Sequence, residues 1–111
     1  MNQELRRKSP RRTFHGQVGV MYDGHMTISR CSQLGEGGLL VRLDESLEGT
    51  EVGDQMVVTL YLPNIGGVVA KSKCVYLTED VKIGIQFEEI EMRFKVRIRE
   101  FVSRQKSSPE I

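Results

Sequence analysis

Apolar and polar positions alternate with a period of two along most of the chain. Val18, Val20 and Tyr22 alternate up to Asp23-Gly24, a dipeptide that signals a tight hairpin. Met26 and Ile28 are read as continuing the apolar face on the return strand. Leu39-Leu40-Val41 follows the glycine-rich stretch Gly35-Glu36-Gly37-Gly38, and residues 44–54 read as a polar connection with turns at Gly49 and Gly53. Met56, Val58, Leu60 and Leu62 then share one face, as do Val68, Ala70, Ser72, Cys74 and Tyr76 after a Pro63-Asn64 turn. Val81, Ile83, Ile85 and Phe87 alternate with polar residues and Gly84, which predicts a half-buried strand.

At Ile90 the period changes to about 3.6, the spacing of a helix. Ile90, Phe94, Ile98, Phe101 and Val102 fall on one side of it, with Glu88, Glu89 and Glu91 near the start, where acids suit the helix dipole. The prediction is about six short strands with tight turns, then one helix. This is an all-β domain, an open antiparallel barrel covered by a C-terminal helix. Residues 1–13 have no apolar period and Pro10 blocks a continuous helix, so they read as a flexible N-terminal arm. The barrel and helix are assigned to residues 14–104 and a frayed tail to 105–111.

Length and charge narrow the function. A chain of 111 residues builds one core and has no room for a catalytic and a regulatory domain together. No apolar run approaches the ~20 residues that span a bilayer, and no apolar stretch follows the basic N-terminus as a secretory signal would require. The expectation is a cytoplasmic protein without membrane insertion, with Cys31 and Cys74 reduced and buried as small apolar residues. Residues 1–14 carry five bases and one acid; residues 15–89 carry five bases and eleven acids. A basic arm on an acidic body points to an anionic partner for the arm, or to contact with that body.

Catalytic chemistry is not evident. Nucleophilic catalysis needs a nucleophile beside a base and an orienting group. His15 and His25, the only histidines, read as surface residues, and no His/Cys spacing supports a metal. The glycine stretch lacks the Gly-Lys-Ser/Thr ending of a P-loop and leads into a strand. The reading is a binding protein without cofactor or metal, not an enzyme.

Two segments carry binding chemistry. Arg6-Arg7-Lys8-Ser9-Pro10-Arg11-Arg12 offers guanidinium groups that hold phosphate bidentately and stack on flat bases. Gln33-Leu34-Gly35-Glu36-Gly37-Gly38 combines an amide suited to a base edge with glycines that allow close approach to the backbone. In this order they resemble the PilZ domain family, which has Arg-x-x-x-Arg in an N-terminal arm and Asp/Asn-x-Ser-x-x-Gly after the first hairpin. Arg7 to Arg11 fits the first motif, and Gln33 to Gly38 aligns with the second. The likeness continues through Leu39-Leu40-Val41, Gly49 to Pro63 and Gly84-Ile85-Gln86-Phe87.

The resemblance implies a six-stranded PilZ-like barrel that binds the bacterial second messenger cyclic di-GMP. It implies that Arg7 and Arg11 stack on guanines and bind phosphates. Arg6, just before the motif, goes with a stacked pair of nucleotides, and Gly38 keeps the loop open beside the ligand. Gln33 stands where the family has Asp or Asn, and Gly35 where it has Ser. Loss of a charged acceptor costs roughly 1.5–3 kcal/mol if uncompensated. Ser32 is adjacent, but strand alternation points it to the face opposite Gln33. Three readings follow: a stand-alone cyclic di-GMP receptor acting on a downstream protein of unknown identity; a divergent domain with a degenerate second motif that acts through protein partners alone; and a nucleic-acid binder. The acidic body and the scarcity of aromatic residues speak against the last, and no DNA partner is expected.

Overall fold

The computed structural model describes residues 11–42 and 47–107. Among the described residues, seven antiparallel strands lead into one helix: β1 (Arg11–Thr13), β2 (Gln17–Tyr22), β3 (His25–Gly35), β4 (Gly38–Arg42), β5 (Gln55–Leu62), β6 (Gly66–Leu77), β7 (Lys82–Ile90) and α1 (Met92–Ser107). Strands β3, β2, β5, β6, β7 and β4 pair in that order, and β4 pairs again with β3, which closes a six-stranded barrel. The extra strand β1 lies in what reads from sequence as an arm. It pairs with the end of β3, and Phe14 N–H donates to the Ser32 carbonyl where β1 passes towards β2.

Local chemistry accounts for the strand ends. Asp23 and Gly24 both have positive φ, 52° and 80°, the geometry that matches a two-residue turn to the twist of its strands. Val81 also has positive φ (61°), which is costly for a β-branched residue. It is 53% exposed in the β6–β7 turn and does not belong to the strand face expected of it. The turn is held by Thr78, whose amide donates to the Lys82 carbonyl and whose hydroxyl accepts from the Lys82 amide.

The core follows the alternation in β5, β6 and β7. Met56, Val58, Leu60 and Leu62 point inward, as do Val68, Ala70, Cys74, Ile83, Ile85 and Phe87. In β3 the expectation fails. Val18 and Val20 pair with Ser29 and Thr27, so the odd residues of β3 face inward there. Met26 and Ile28 are 54% and 59% exposed on the outside of the barrel. Both cysteines are buried free thiols; burial raises the Cys31 thiol from its ordinary 9.0 to about 12.

The helix begins two residues later than the periodicity indicates. Ile90 ends β7, and the Glu91 carbonyl accepts from the amides of Phe94 and Lys95, making Glu91 the N-cap. Glu88 and Glu89 are exposed in β7 rather than at the helix start. The backbone stays helical to Ser107, beyond the expected fraying point. Ile98, Phe101 and Val102 are buried against the barrel. Arg97 donates to the Gly67 carbonyl at 2.6 Å, tying the helix to the start of β6.

The polar β4–β5 connection supplies a core residue that composition hides. Leu47 is fully buried, and the Thr50 amide and hydroxyl both donate to its carbonyl, at 3.2 and 2.6 Å. Tyr22 OH donates to Asp54 Oδ2 at 2.6 Å, fastening the same connection to the end of β2. Leu47→Ala is expected to lower stability by about 2–5 kcal/mol through lost burial and a residual cavity, as read by urea unfolding.

Candidate functional site

The predicted site residues are distributed over β1 and the β3–β4 hairpin. Arg6 and Arg7 lie outside the described residues. Arg11 opens β1 opposite Gly35, and Gly35 is paired in turn with Gly38 across a two-residue turn of Glu36 and Gly37. Thr13 lies opposite Gln33. The structure therefore brings Arg11, Gln33, Gly35 and Gly38 into one small region. Arg11 Nη1 and Gln33 Oε1 approach to 3.5 Å, a long contact for a guanidinium with five donors.

A β-bulge shapes this region. Cys31 pairs with Val41 but Gln33 pairs with Leu40, so Ser32 and Gln33 together oppose one residue. The bulge shifts the phase of the strand. Ser29 and Cys31 point inward before it and Leu34 points inward after it, with Cys31 and Leu34 both fully buried. Ser32 and Gln33 between them are half-buried, and a bulge that sets two residues against one turns both towards the same side, here the outer side of the barrel wall. Simple alternation put Ser32 opposite Gln33; the extra residue of the bulge is what overturns that expectation.

Gly38 has a structural cause of its own. A Cβ there would stand 2.0 Å from the carbonyl oxygen of Ile85, so the residue is required for β4 to approach β7. Its role in the fold is close strand packing, distinct from the open loop the resemblance implies.

Two arginines fasten the region to the helix. Arg12 alternates with Arg11 and points to the other face. Its Nη1 donates to the Phe101 carbonyl at 2.9 Å, and its guanidinium sits 3.8 Å from the centre of the Phe101 ring. Phe14 meets the same ring edge-on at 5.2 Å. On the hairpin tip, Glu36 receives two hydrogen bonds from Arg99 of α1, at 2.8 and 3.4 Å. The bond from Arg99 holds the Glu36 carboxyl below its ordinary value of 4.5. Sequence reading passed over both contacts. No local signal marks either one: residues 1–13 read as an arm rather than a strand, and Glu36 and Arg99 lie 63 residues apart.

A groove of about 750 Å³ opens at the hairpin tip between β6, β7 and the start of α1. Its charged lining is Glu36, Glu88, Glu89 and Glu91 against Lys71 and Lys95. That balance is unfavourable for an anion, whereas Arg11 and the outer side of β3–β4 present donors. Among the described residues no group of three or more His, Cys, Asp or Glu could hold a metal, and no helix is long and apolar enough to cross a membrane.

Comparison with known proteins defines the class. The model of the PilZ domain matches residues 5–104, and the chain belongs to the PilZ domain family. Similar solved structures include the Bacillus subtilis inhibitor of motility MotI/DgrA, with TM-score 0.83, 14% identity, and coverage of 95% of this chain and 53% of that one. The PilZ domain of Escherichia coli YcgR with cyclic di-GMP has TM-score 0.71, 11% identity, and coverage of 95% and 99%. Borreliella burgdorferi PlzA in complex with cyclic di-GMP has TM-score 0.67, 14% identity, and coverage of 90% and 42%. At these identities the likeness is one of fold, and the chain spans 53% of MotI/DgrA and 42% of PlzA. No curated protein shows significant sequence similarity to the chain.

Two outcomes follow from this geometry. Arg12→Ala is expected to cost about 1–3 kcal/mol through loss of the carbonyl bond and the ring contact. Thermal unfolding reads the loss, and hydrogen exchange should rise first in the β1 amides. The second concerns pH. The folded Glu36 carboxyl is depressed, so its contribution is present above the ordinary 4.5 and lost as pH falls through the folded value. An NMR titration of the Glu36 carboxyl should show a midpoint below 4.5, and Arg99→Gln should return it towards that value.

Proposed function

We propose that this chain is a cyclic di-GMP receptor whose ligand is held between the arginine motif, Arg7 to Arg11, and the outer side of the β3–β4 hairpin. The observation that carries the reading is the placement of Arg11 beside Gln33, Gly35 and Gly38 in a chain of the PilZ family. YcgR and PlzA, of the same fold, are described with cyclic di-GMP bound. A guanidinium binds the O6/N7 edge of guanine bidentately and pairs with phosphate, so one arginine type serves both parts of this ligand. Arg6, next to the motif, supports a stacked pair of nucleotides. Gln33 supplies a neutral acceptor and two donors to the base edge in place of a carboxylate. The receptor acts in the cytoplasm, and nucleotide binding changes the surface it presents to a downstream protein.

A second reading, action through protein partners alone, is favoured by the outer wall of β2, β3, β5 and β6. Met21, Met26, Ile28, Tyr61 and Val69 are exposed there on neighbouring strands. The two readings separate in isothermal titration calorimetry with cyclic di-GMP. The receptor reading predicts saturable heat, lost by at least about tenfold in affinity in Arg11→Ala, the scale set by removing a charge-assisted bond. No heat from the unaltered protein would leave the protein-only reading in place.

A further inference from the structure

We infer that Ser32 is a ligand-contacting residue of this site, acting side by side with Gln33. The inference rests on the receptor reading above and assigns a further contact within it. In a regular strand, neighbours face opposite ways and Ser32 would be turned from the ligand. Here β3 has an extra residue against β4, and Ser32 and Gln33 share the single partner Leu40. The phase change is fixed by packing: Cys31 and Leu34, three positions apart, are both fully buried, which leaves the two intervening side chains on the outer wall. A slip that turned Ser32 inward would have to expose one of those core residues.

The chemistry of the pair fits a purine edge. A hydroxyl both donates and accepts, and an amide beside it offers an acceptor and two donors. Arg11, at 3.5 Å from the Gln33 amide, adds a cation on the same wall. The Ser32 hydroxyl is already directed along this surface. Its oxygen lies 3.5 Å from the Leu40 carbonyl across the strand pair, at the outer limit of a hydrogen bond, so turning it to a ligand gives up little. The bulge backbone is pinned independently, because the Ser32 carbonyl accepts from the Phe14 amide and does not depend on the side chain. Gly35 has no side chain to take this part; the hydroxyls beside Gln33 are those of Ser32, next to it in the bulge, and Thr13, across the β1–β3 pair.

The test is calorimetric titration of cyclic di-GMP into the full chain and its Ser32→Ala, Ser32→Thr and Arg11→Ala variants, with thermal unfolding of each. Ser32→Ala should weaken binding by about tenfold, the scale of one hydrogen bond to a polar ligand, at an unchanged unfolding midpoint. Ser32→Thr keeps the hydroxyl and suits a strand, so it should stay within about threefold of the parent. If the parent binds, Arg11→Ala loses binding and Ser32→Ala does not, the inference is wrong and the receptor reading stands. Equal losses in Ser32→Ala and Ser32→Thr would also overturn it, since they would mark a requirement for shape rather than for the hydroxyl. Absence of binding by the parent overturns both.

Discussion

The contact between Gly38 and the carbonyl of Ile85 is the constraint on which the rest of the barrel depends. With no Cβ at Gly38, β4 can lie against β7 on one edge and β3 on the other, and that double pairing is what closes six strands into a barrel. Closure leaves none of the six barrel strands as a free edge; β1, paired with β3 alone, is the edge that remains among the described residues. It also fixes the β3–β4 hairpin to the barrel wall, with Phe87 N–H donating to the Gly37 carbonyl at 2.9 Å. The same glycine that looks from sequence like part of a ligand loop is thus first a packing residue.

The bulge in β3 and the arginine contacts to α1 follow from that frame. Because β4 is held at Gly38, the extra residue in β3 has to be absorbed beside Leu40, and it is absorbed by turning Ser32 and Gln33 out together. Arg11 faces the same region, while its neighbour Arg12 reaches the Phe101 carbonyl and ring. Adjacent residues of β1 therefore join the candidate site to the helix. The hairpin tip makes a second junction through Glu36 and Arg99. A ligand that reorders β1 or the tip acts directly on these two contacts, so the helix surface is the natural place for binding to be felt.

Much of this was legible in the chain. The strands β5, β6 and β7 have one face each in the core, and their alternation reads directly. Asp23-Gly24 announces its turn because few dipeptides accept two positive φ values in succession. The arginine motif and the Gln33 to Gly38 segment pointed to residues that the fold brings together, as far as Arg11 onward is described. What escaped is tertiary in origin. Met26 and Ile28 look like core residues, yet pairing with Val18 and Val20 assigns the inside to Thr27 and Ser29. Leu47 is hidden in a polar loop because its burial depends on strands distant in sequence. A bulge has no residue signature of its own, so Ser32 was turned the wrong way. The extra strand β1 has no apolar period because one of its faces meets Phe101 through an arginine.

The central claim is that the anion-binding surface of this domain is the outer wall formed by Arg11 and the β3–β4 hairpin. NMR mapping of backbone amides during titration with cyclic di-GMP tests it most directly. The account predicts that the largest shifts fall on Arg11, Ser32, Gln33, Gly35 and Gly38, with smaller ones reaching Phe101 and Arg99 of the helix. Shifts concentrated instead on Glu88, Glu89, Glu91 and Phe94 of the acidic groove, or no shifts at all with ligand in large excess, would contradict it.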